Sequence, residues 1–232
     1  MTDAVIDRGW VHDRNGNQRE IVGSVTKKEA AILAGIIYKN GCKRCVETGV
    51  ANGISTLAIA QAVAGNGGRH YGIDPEQSTS HDYAAINLLS EHRLNECFSL
   101  MEGPAHIMMP QLTAQGELFD FAFIDGMHTF HYKLIDYFFA DKLLRIGGWM
   151  VFHDLLLPSV KKLYRYIQTQ GKYRPWDTPQ LEPPTAYKLR HIAAAVIKRK
   201  PLRTFWPNGF SNLLVLEKVS DEERPWNHFN NF

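Results

Sequence analysis

Residues 44–55 read RCVETGVANGIS. The stretch Arg44–Val50 has the short apolar run of a buried strand, and it enters a turn holding Gly49 and Gly53. A helix pattern opens at Ser55 and runs to Ala64, where Gly65-Asn66-Gly67-Gly68 ends it. In open α/β sheets, ligands bind beyond the carboxyl ends of strands. Glycine lets a backbone approach such a ligand closely. The spacing is G-x-x-x-G, not the G-x-G-x-x-G of a dinucleotide site. Glu47 sits two residues before Gly49, where it would repel a pyrophosphate and suits a cofactor carrying an amino group.

Upstream, Ser24-Val25-Thr26-Lys27-Lys28-Glu29 has the form of a capped helix start. Ala30, Leu33, Ile36, Ile37 and Tyr38 continue it as an amphipathic helix to about Asn40-Gly41. Residues 1–23 are polar and mixed and predict a loosely ordered arm. Downstream, strands at His70–Asp74, Phe98–Met101, Phe119–Ile124 and Trp149–Phe152 alternate with helices at 80–94, Ala105–Ala114 and 130–145, the last ended by Gly147-Gly148. This βαβα alternation predicts a doubly wound α/β sheet, mostly parallel, with helices on both faces. Beyond Asp154, Ser159–Gln170 reads as a helix, 171–184 as an irregular stretch with four prolines, Thr185–Lys200 as a basic helix and Phe210–Val219 as a late strand. Residues 24–219 would be the folded domain, 155–209 an insertion for substrate recognition, and 220–232 a tail.

Composition bounds the function. A hydrophobic share of 44% supports a sizeable core rather than a disordered chain. No run reaches the ~20 apolar residues of a membrane span. The N-terminus lacks the basic start and apolar stretch of a signal peptide. The odd cysteine count, 3, disfavours a disulfide framework, so a reduced cytoplasm is the expected setting. Cys42 and Cys45 form a C-x-x-C, but Cys97 alone cannot complete a structural zinc site. The net charge of +2 hides a partition: residues 155–205 carry 11 Lys or Arg against Asp177 and Glu182 alone. Trp176, Tyr173, Tyr187 and Trp206 lie nearby. The segment either attracts an acidic acceptor or forms a solvated face, and the second is the commoner meaning of a charge block. Exposed aromatics in the tail, Trp226, Phe229 and Phe232, are compatible with a homo-oligomer surface.

The next strand after the glycine turn ends in Asp74, placed to accept hydrogen bonds from both ribose hydroxyls of a nucleoside. The set Glu47, Gly49, Gly53 and Asp74 resembles the class I S-adenosylmethionine-dependent methyltransferases, and Ser55, at the end of the turn, is a further candidate cofactor contact. The resemblance implies a Rossmann-like sheet whose late strand is antiparallel, and S-adenosylmethionine as cofactor. The loop Glu102-Gly103-Pro104-Ala105 would then touch adenine through Gly103, although Pro104 stands where many relatives carry an acid.

Residues 119–154, FDFAFIDGMHTFHYKLIDYFFADKLLRIGGWMVFHD, look like the O-methyltransferase families of catechol-type, macrolide-sugar and aminocoumarin-sugar enzymes. By that resemblance Asp125, His153 and Asp154 would hold a divalent cation, Mg²⁺ or Mn²⁺, and Asp125 would also lie beside the cofactor. The match has two departures: Leu155 replaces an Asn of the catechol-type enzymes, and His153 replaces the first Asp of the sugar enzymes. One imidazole with two carboxylates suits Mn²⁺, Fe²⁺ or Zn²⁺ as readily as Mg²⁺, and also permits no metal. His128 falls where catechol-type enzymes have a Lys base. Imidazole as a residue type exchanges a proton near neutral pH. His153 is the second candidate base if no metal binds, and His131 is expected on a helix surface.

The expected function is O-methylation of a hydroxyl on a small molecule or sugar, with nucleic acid disfavoured. Three rivals stand beside it. A cephalosporin-hydroxylase-like enzyme resembles the I-D-G-x-H region too. A nicotinamide-dependent oxidoreductase is disfavoured by the glycine spacing and Glu47. A non-catalytic binding module would use the basic segment.

Overall fold

The computed structural model describes residues 1–116, 118–176 and 212–232. Helix α1 (Thr2–Arg8) and a hairpin of β1 (Trp10–His12) and β2 (Gln18–Glu20) open the chain, followed by α2 (Lys27–Lys39). The quoted run becomes β3 (Arg44–Thr48) and α3 (Ile54–Gly65). Then come β4 (Arg69–Asp74), α4 (Ala84–Glu91), β5 (Phe98–Glu102), α5 (Ala105–Ala114), β6 (Phe119–Ile124), α6 (Phe130–Leu143) and β7 (Leu144–Phe152). The described chain ends in α7 (Pro158–Gln170), β8 (Tyr173–Trp176) and β9 (Leu214–Lys218).

The main sheet has the order β5-β4-β3-β6-β7-β9-β8. Strands β3 to β7 pair in parallel, and β9 runs antiparallel to both β7 and β8. The Rossmann-like expectation, late antiparallel strand included, is met. Strand order reverses at β3, which pairs with β4 on one side and β6 on the other. Such a reversal opens a crevice at the strand ends. The sheet is buried on both faces. Phe121 and Phe123 of β6 join one core with Leu33, Ile37 and Ile59, while Ala122 and Ile124 join the other with Val46, Met150 and Phe152. A fully buried side chain of this size contributes roughly 1.5–3 kcal/mol.

Several expectations are corrected. Residues 1–23 are not a loose arm: Val5 and Val11 are buried in the core, and Asp13 Oδ1 accepts from the N–H groups of Asn15 and Asn17 to close the hairpin. The capping hydroxyl expected within 24–29 is that of Thr26, in a reciprocal box with Glu29. The helix expected at 80–94 is confined to Ala84–Glu91 because Asp82 and Tyr83 adopt left-handed backbone. Gly147-Gly148 does not end α6. β7 already pairs Leu144 with Phe119 and then shifts register to pair Trp149 with Phe121, so the glycines lie in the irregularity between. Tyr173–Trp176 is an edge strand, not irregular chain, and Pro175 is tolerated there. The expected basic helix Thr185–Lys200 lies outside the described residues. Cys42 and Cys45 are buried, and burial pushes the Cys42 thiol up to about 11, which keeps it inert.

Candidate active site

The turn after β3 is held from two sides. Gly49 has φ +85°, and a Cβ there would lie 2.5 Å from the Asp125 carbonyl oxygen. Only glycine lets the ends of β3 and β6 meet so closely. Gly53, φ +86°, is pressed against Ala85 of α4 in the same way. Asp74 accepts at Oδ2 from the N–H groups of Val50 (2.9 Å) and Ala51 (2.8 Å), and at Oδ1 from Glu76 N–H (2.7 Å). The acid at the end of β4 therefore fixes the turn itself. Gly103, after β5, donates its N–H to the Asp74 carbonyl at 3.1 Å.

Glu47 is placed otherwise than the sequence reading expected. It is fully buried, and its carboxylate accepts from the hydroxyls of Ser55 (2.5 Å) and Thr56 (2.8 Å), with His70 Nε2 at 3.3 Å. It clasps β3 to the first turn of α3 and has no oxygen directed at the crevice. The Ser55 hydroxyl is spent on the same contact.

Two chambers meet at the turn. One, of about 290 Å³, is lined by Asp74, Glu76, His106, Tyr132 and Asp136 together with Gly49 and Asp125. The other, of about 180 Å³, lies between the turn 49–55 and residues 21–25, with Asp125 and His128 on its wall. Gly49 and Asp125 belong to both. Residues 21–25 and His106 were missed by the sequence reading. The His106 ring tilts against Tyr132 at 5.6 Å, and its Nδ1 is buried with no hydrogen-bond partner among the described residues.

At the ends of β6 and β7 sits a cluster of charges. His128 is about half exposed, its Nε2 3.6 Å from Asp154 Oδ2. Asp154 has left-handed φ of +59°. His153 is buried: Nδ1 lies 3.3 Å from Asp125 Oδ1 and 3.6 Å from Asp154 Oδ2, and Nε2 lies 3.5 Å from Glu29 Oε2. These are ion-pair distances rather than well-aligned hydrogen bonds. Asn212 reaches both Asp154 and His153 at 3.5 Å. Burial alone would lower the His153 pKa, but Asp125, Asp154 and Glu29 outweigh it and push it up to about 12. In turn the His153 contact holds Asp154 at about 2. Behind them, fully buried Lys133 donates from Nζ to the Ile124 carbonyl at 3.1 Å, and burial lowers its pKa. Burial also raises Asp136 to about 6.

An imidazole ligates metal or takes a proton only through an unprotonated nitrogen. Around His153, Nδ1 faces Asp125 and Asp154, and Nε2 faces Glu29 and the Asn212 amide. The described residues do bring Asp125, His128 and Asp154 together, with ligand atoms within 4.8 Å of one another. A cation there would compete with His153 for both carboxylates. His131 is exposed on α6, as expected.

The structure is a Rossmann-like α/β sheet with a crevice at its strand ends, a form similar to that of the class I methyltransferases. Within it, residues 46–155 match the family model described as a methyltransferase domain. The methyltransferase expected from the sequence is thereby borne out at the level of the domain. No curated protein sequence matches the chain. Among solved structures, it resembles the O-methyltransferase TomG from Streptomyces achromogenes, involved in tomaymycin synthesis and solved with S-adenosylmethionine: 17% identity, 85% of this chain and 82% of that one, TM-score 0.60. It also resembles an O-methyltransferase from Bacillus cereus solved with S-adenosylhomocysteine: 17% identity, 85% and 84%, TM-score 0.62. A methyltransferase from Geobacter sulfurreducens follows at 14% identity, 84% and 80%, TM-score 0.59. At such identities these likenesses speak for the fold. No helix among the described residues is long and apolar enough to cross a membrane.

Proposed function

We propose that the chain is an S-adenosylmethionine-dependent O-methyltransferase acting on a hydroxyl of a small molecule or sugar. The observation that carries this reading is the pair of chambers joined at Gly49 and Asp125, with His128 beside the smaller one. The larger suits a nucleoside and the smaller an amino-acid tail. Two features are compatible with that cofactor: the glycine turn at Gly49, on the wall of both chambers, and the His106 ring beside Tyr132 on the wall of the larger one. When bound, the cofactor supplies an electrophilic methyl group on a sulfonium.

The chain's own residues do the rest. The turn 49–53 and residues 21–25 hold and align the tail, and His106 and Tyr132 flank the purine. Asp125 stands at the junction, where methyl donor and acceptor meet. His128 takes the acceptor hydroxyl's proton as its oxygen attacks. Alignment contributes most of the rate, and the base about 10²–10⁴-fold. A second reading rests on the proximity of Asp125, His128 and Asp154: a divalent cation held by those three would orient the acceptor oxygen, and His128 would then be a ligand.

Calorimetry with S-adenosylhomocysteine tests the cofactor: saturable binding is expected, and none would refute the reading. His128→Ala should lower methyl transfer to a hydroxylated acceptor by about 10²-fold or more while leaving S-adenosylhomocysteine affinity unchanged. Wild-type turnover in that variant would remove His128 from the mechanism.

A further inference from the structure

A second concavity lies at the amino-terminal ends of β3 and β4, about 20 Å from the crevice at ~3.3 Å per residue along β3. Its volume is about 630 Å³, and Lys43, Arg69, Arg93, Tyr71, Leu94 and Glu96 line it. Lys43, Arg69 and Arg93 are exposed. Elsewhere the chain pairs such cations: Lys27 with Asp7, Arg145 with Asp120, Arg174 with Glu217. Here it does not. Among the described residues, the side chains of Lys43 and Arg93 make no hydrogen bond or ion pair, and Arg69 reaches only the Ser99 hydroxyl, at 3.3 Å. Glu96 lines the same cleft and pairs with none of the three. Asp120, beside β3, is already spent, because it accepts from the N–H groups of Lys43 and Arg44 and from Arg145 Nε. The Arg44 guanidinium lies over the Tyr71 and Phe119 rings and belongs to the wall.

Arg93 stands where the backbone would prefer another residue. It follows α4 with φ +57°, and the N–H groups of Arg93 and Leu94 return to the carbonyls of Ser90 and Leu89. Helices favour glycine at that position. On the same cleft, α3 ends in this way with Gly67, φ +66°. A cation is also favoured near a helix C-terminus, but the Arg93 guanidinium donates to no carbonyl there. The helix end therefore does not account for this side chain. Two guanidinium forks and an ammonium suit an oxyanion carrying more than one charge, phosphate above all. Several hundred cubic ångströms is the size of a small-molecule site, and partly buried Tyr71 and Leu94 give it an apolar wall. We propose that this cleft is a second ligand site, for a small phosphate-bearing anion. Lys43, Arg69 and Arg93 hold the phosphate, and Tyr71 and Leu94 flank whatever the phosphate is attached to. The site stands apart from the crevice and does not depend on methyl transfer.

The test is calorimetric titration of the intact chain with two probes, inorganic pyrophosphate and glucose 6-phosphate. At least one should bind saturably, and more weakly as KCl rises. Tighter binding of the sugar phosphate would assign an organic phosphate, and tighter binding of pyrophosphate a free inorganic anion. Arg69→Gln and Arg93→Gln should each weaken the bound probe about tenfold, the loss of one charged hydrogen-bond donor, with circular dichroism confirming the fold. The wild type also decides without any variant: in nitrogen-15 spectra the probe should shift the amides of Gly67, Gly68, Arg69 and Arg93. Three results would overturn the proposal. One is no saturable binding of either probe. Another is affinity unchanged in the folded double variant, with shifts at other residues. The third is binding of an oligonucleotide but of neither probe, which would make the surface one for nucleic acid. S-adenosylhomocysteine, titrated in parallel, should not displace the probe. Displacement would put the anion in the crevice and sink the second site, while absence of S-adenosylhomocysteine binding would bear on the cofactor reading alone.

Discussion

Gly49 shows how much rests on a missing methyl group. Its left-handed backbone and its approach to the Asp125 carbonyl exclude any Cβ. Gly49→Val should therefore lower stability by about 1–3 kcal/mol from backbone strain alone and abolish S-adenosylhomocysteine binding. Calorimetry and a urea transition check the two effects separately, and unchanged affinity would place the cofactor elsewhere. The His153–Asp154 pair makes a pH prediction of definite sign. His153 has a raised folded pKa, so its contribution is full below its ordinary 6.5 and is lost as pH rises toward about 12. Asp154 has a depressed one, so its contribution is full above 3.8 and is lost as pH falls through about 2. The melting-temperature difference between wild type and His153→Gln should be greatest between pH 3.8 and 6.5. A difference that grows toward alkaline pH would contradict the pairing.

At the scale of elements, the hairpin β1–β2 does more than cover the core. Arg19 contacts Asp13, the Ser80 carbonyl and Asp82, and Asn52 donates to the Glu20 carbonyl. The hairpin thus braces both the 76–82 loop beside the larger chamber and the turn beneath the smaller one. Arg19→Ala should weaken S-adenosylhomocysteine binding several-fold by calorimetry, with little change in the urea midpoint, since Arg19 is about one-third exposed and buried Asp13 keeps its Asn15 and Asn17 donors. Equal affinity would mean the brace is dispensable. This element was not legible in the sequence. Its strands are three residues each, and its ties run to residues some sixty positions away. Strands β3, β4 and β6 were legible because burial on both faces writes an apolar run. The site divides in the same way. Gly49, Asp125 and His128 could be read from strand ends, where the fold itself places them. Glu29, His106 and Lys133 act through contacts that no local pattern encodes. His153 could also be read from a strand end, but its approach to Glu29, a cap residue of α2, could not.

For the whole molecule, the charge partition between the scaffold and residues 155–205 acquires a partly structural meaning. In the described half of that segment, Lys172 is buried against Asp141 at 3.1 Å and also meets Glu223. Arg174 pairs with Glu217 at 2.6 Å. Buried Lys218 donates to the Asp141 and Leu144 carbonyls, and the Tyr173 hydroxyl donates to Asp141 Oδ1 at 2.7 Å. Asp141, on α6, thereby gathers groups from β8 and its neighbour β9, and Lys172 links it on to the tail. These cations fasten the far edge of the sheet and are not free to attract an acidic acceptor; any such attraction must come from other positive groups. Asp141→Ala takes its buried partner from Lys172, which keeps only the exposed Glu223, and leaves the Tyr173 hydroxyl without its acceptor. Removing one partner of a buried pair costs up to about 3–5 kcal/mol, so the urea midpoint should fall. S-adenosylhomocysteine affinity below the transition should hold, because the crevice lies at the other end of the strands. Loss of affinity without loss of stability would show instead that the two ends of the sheet are coupled.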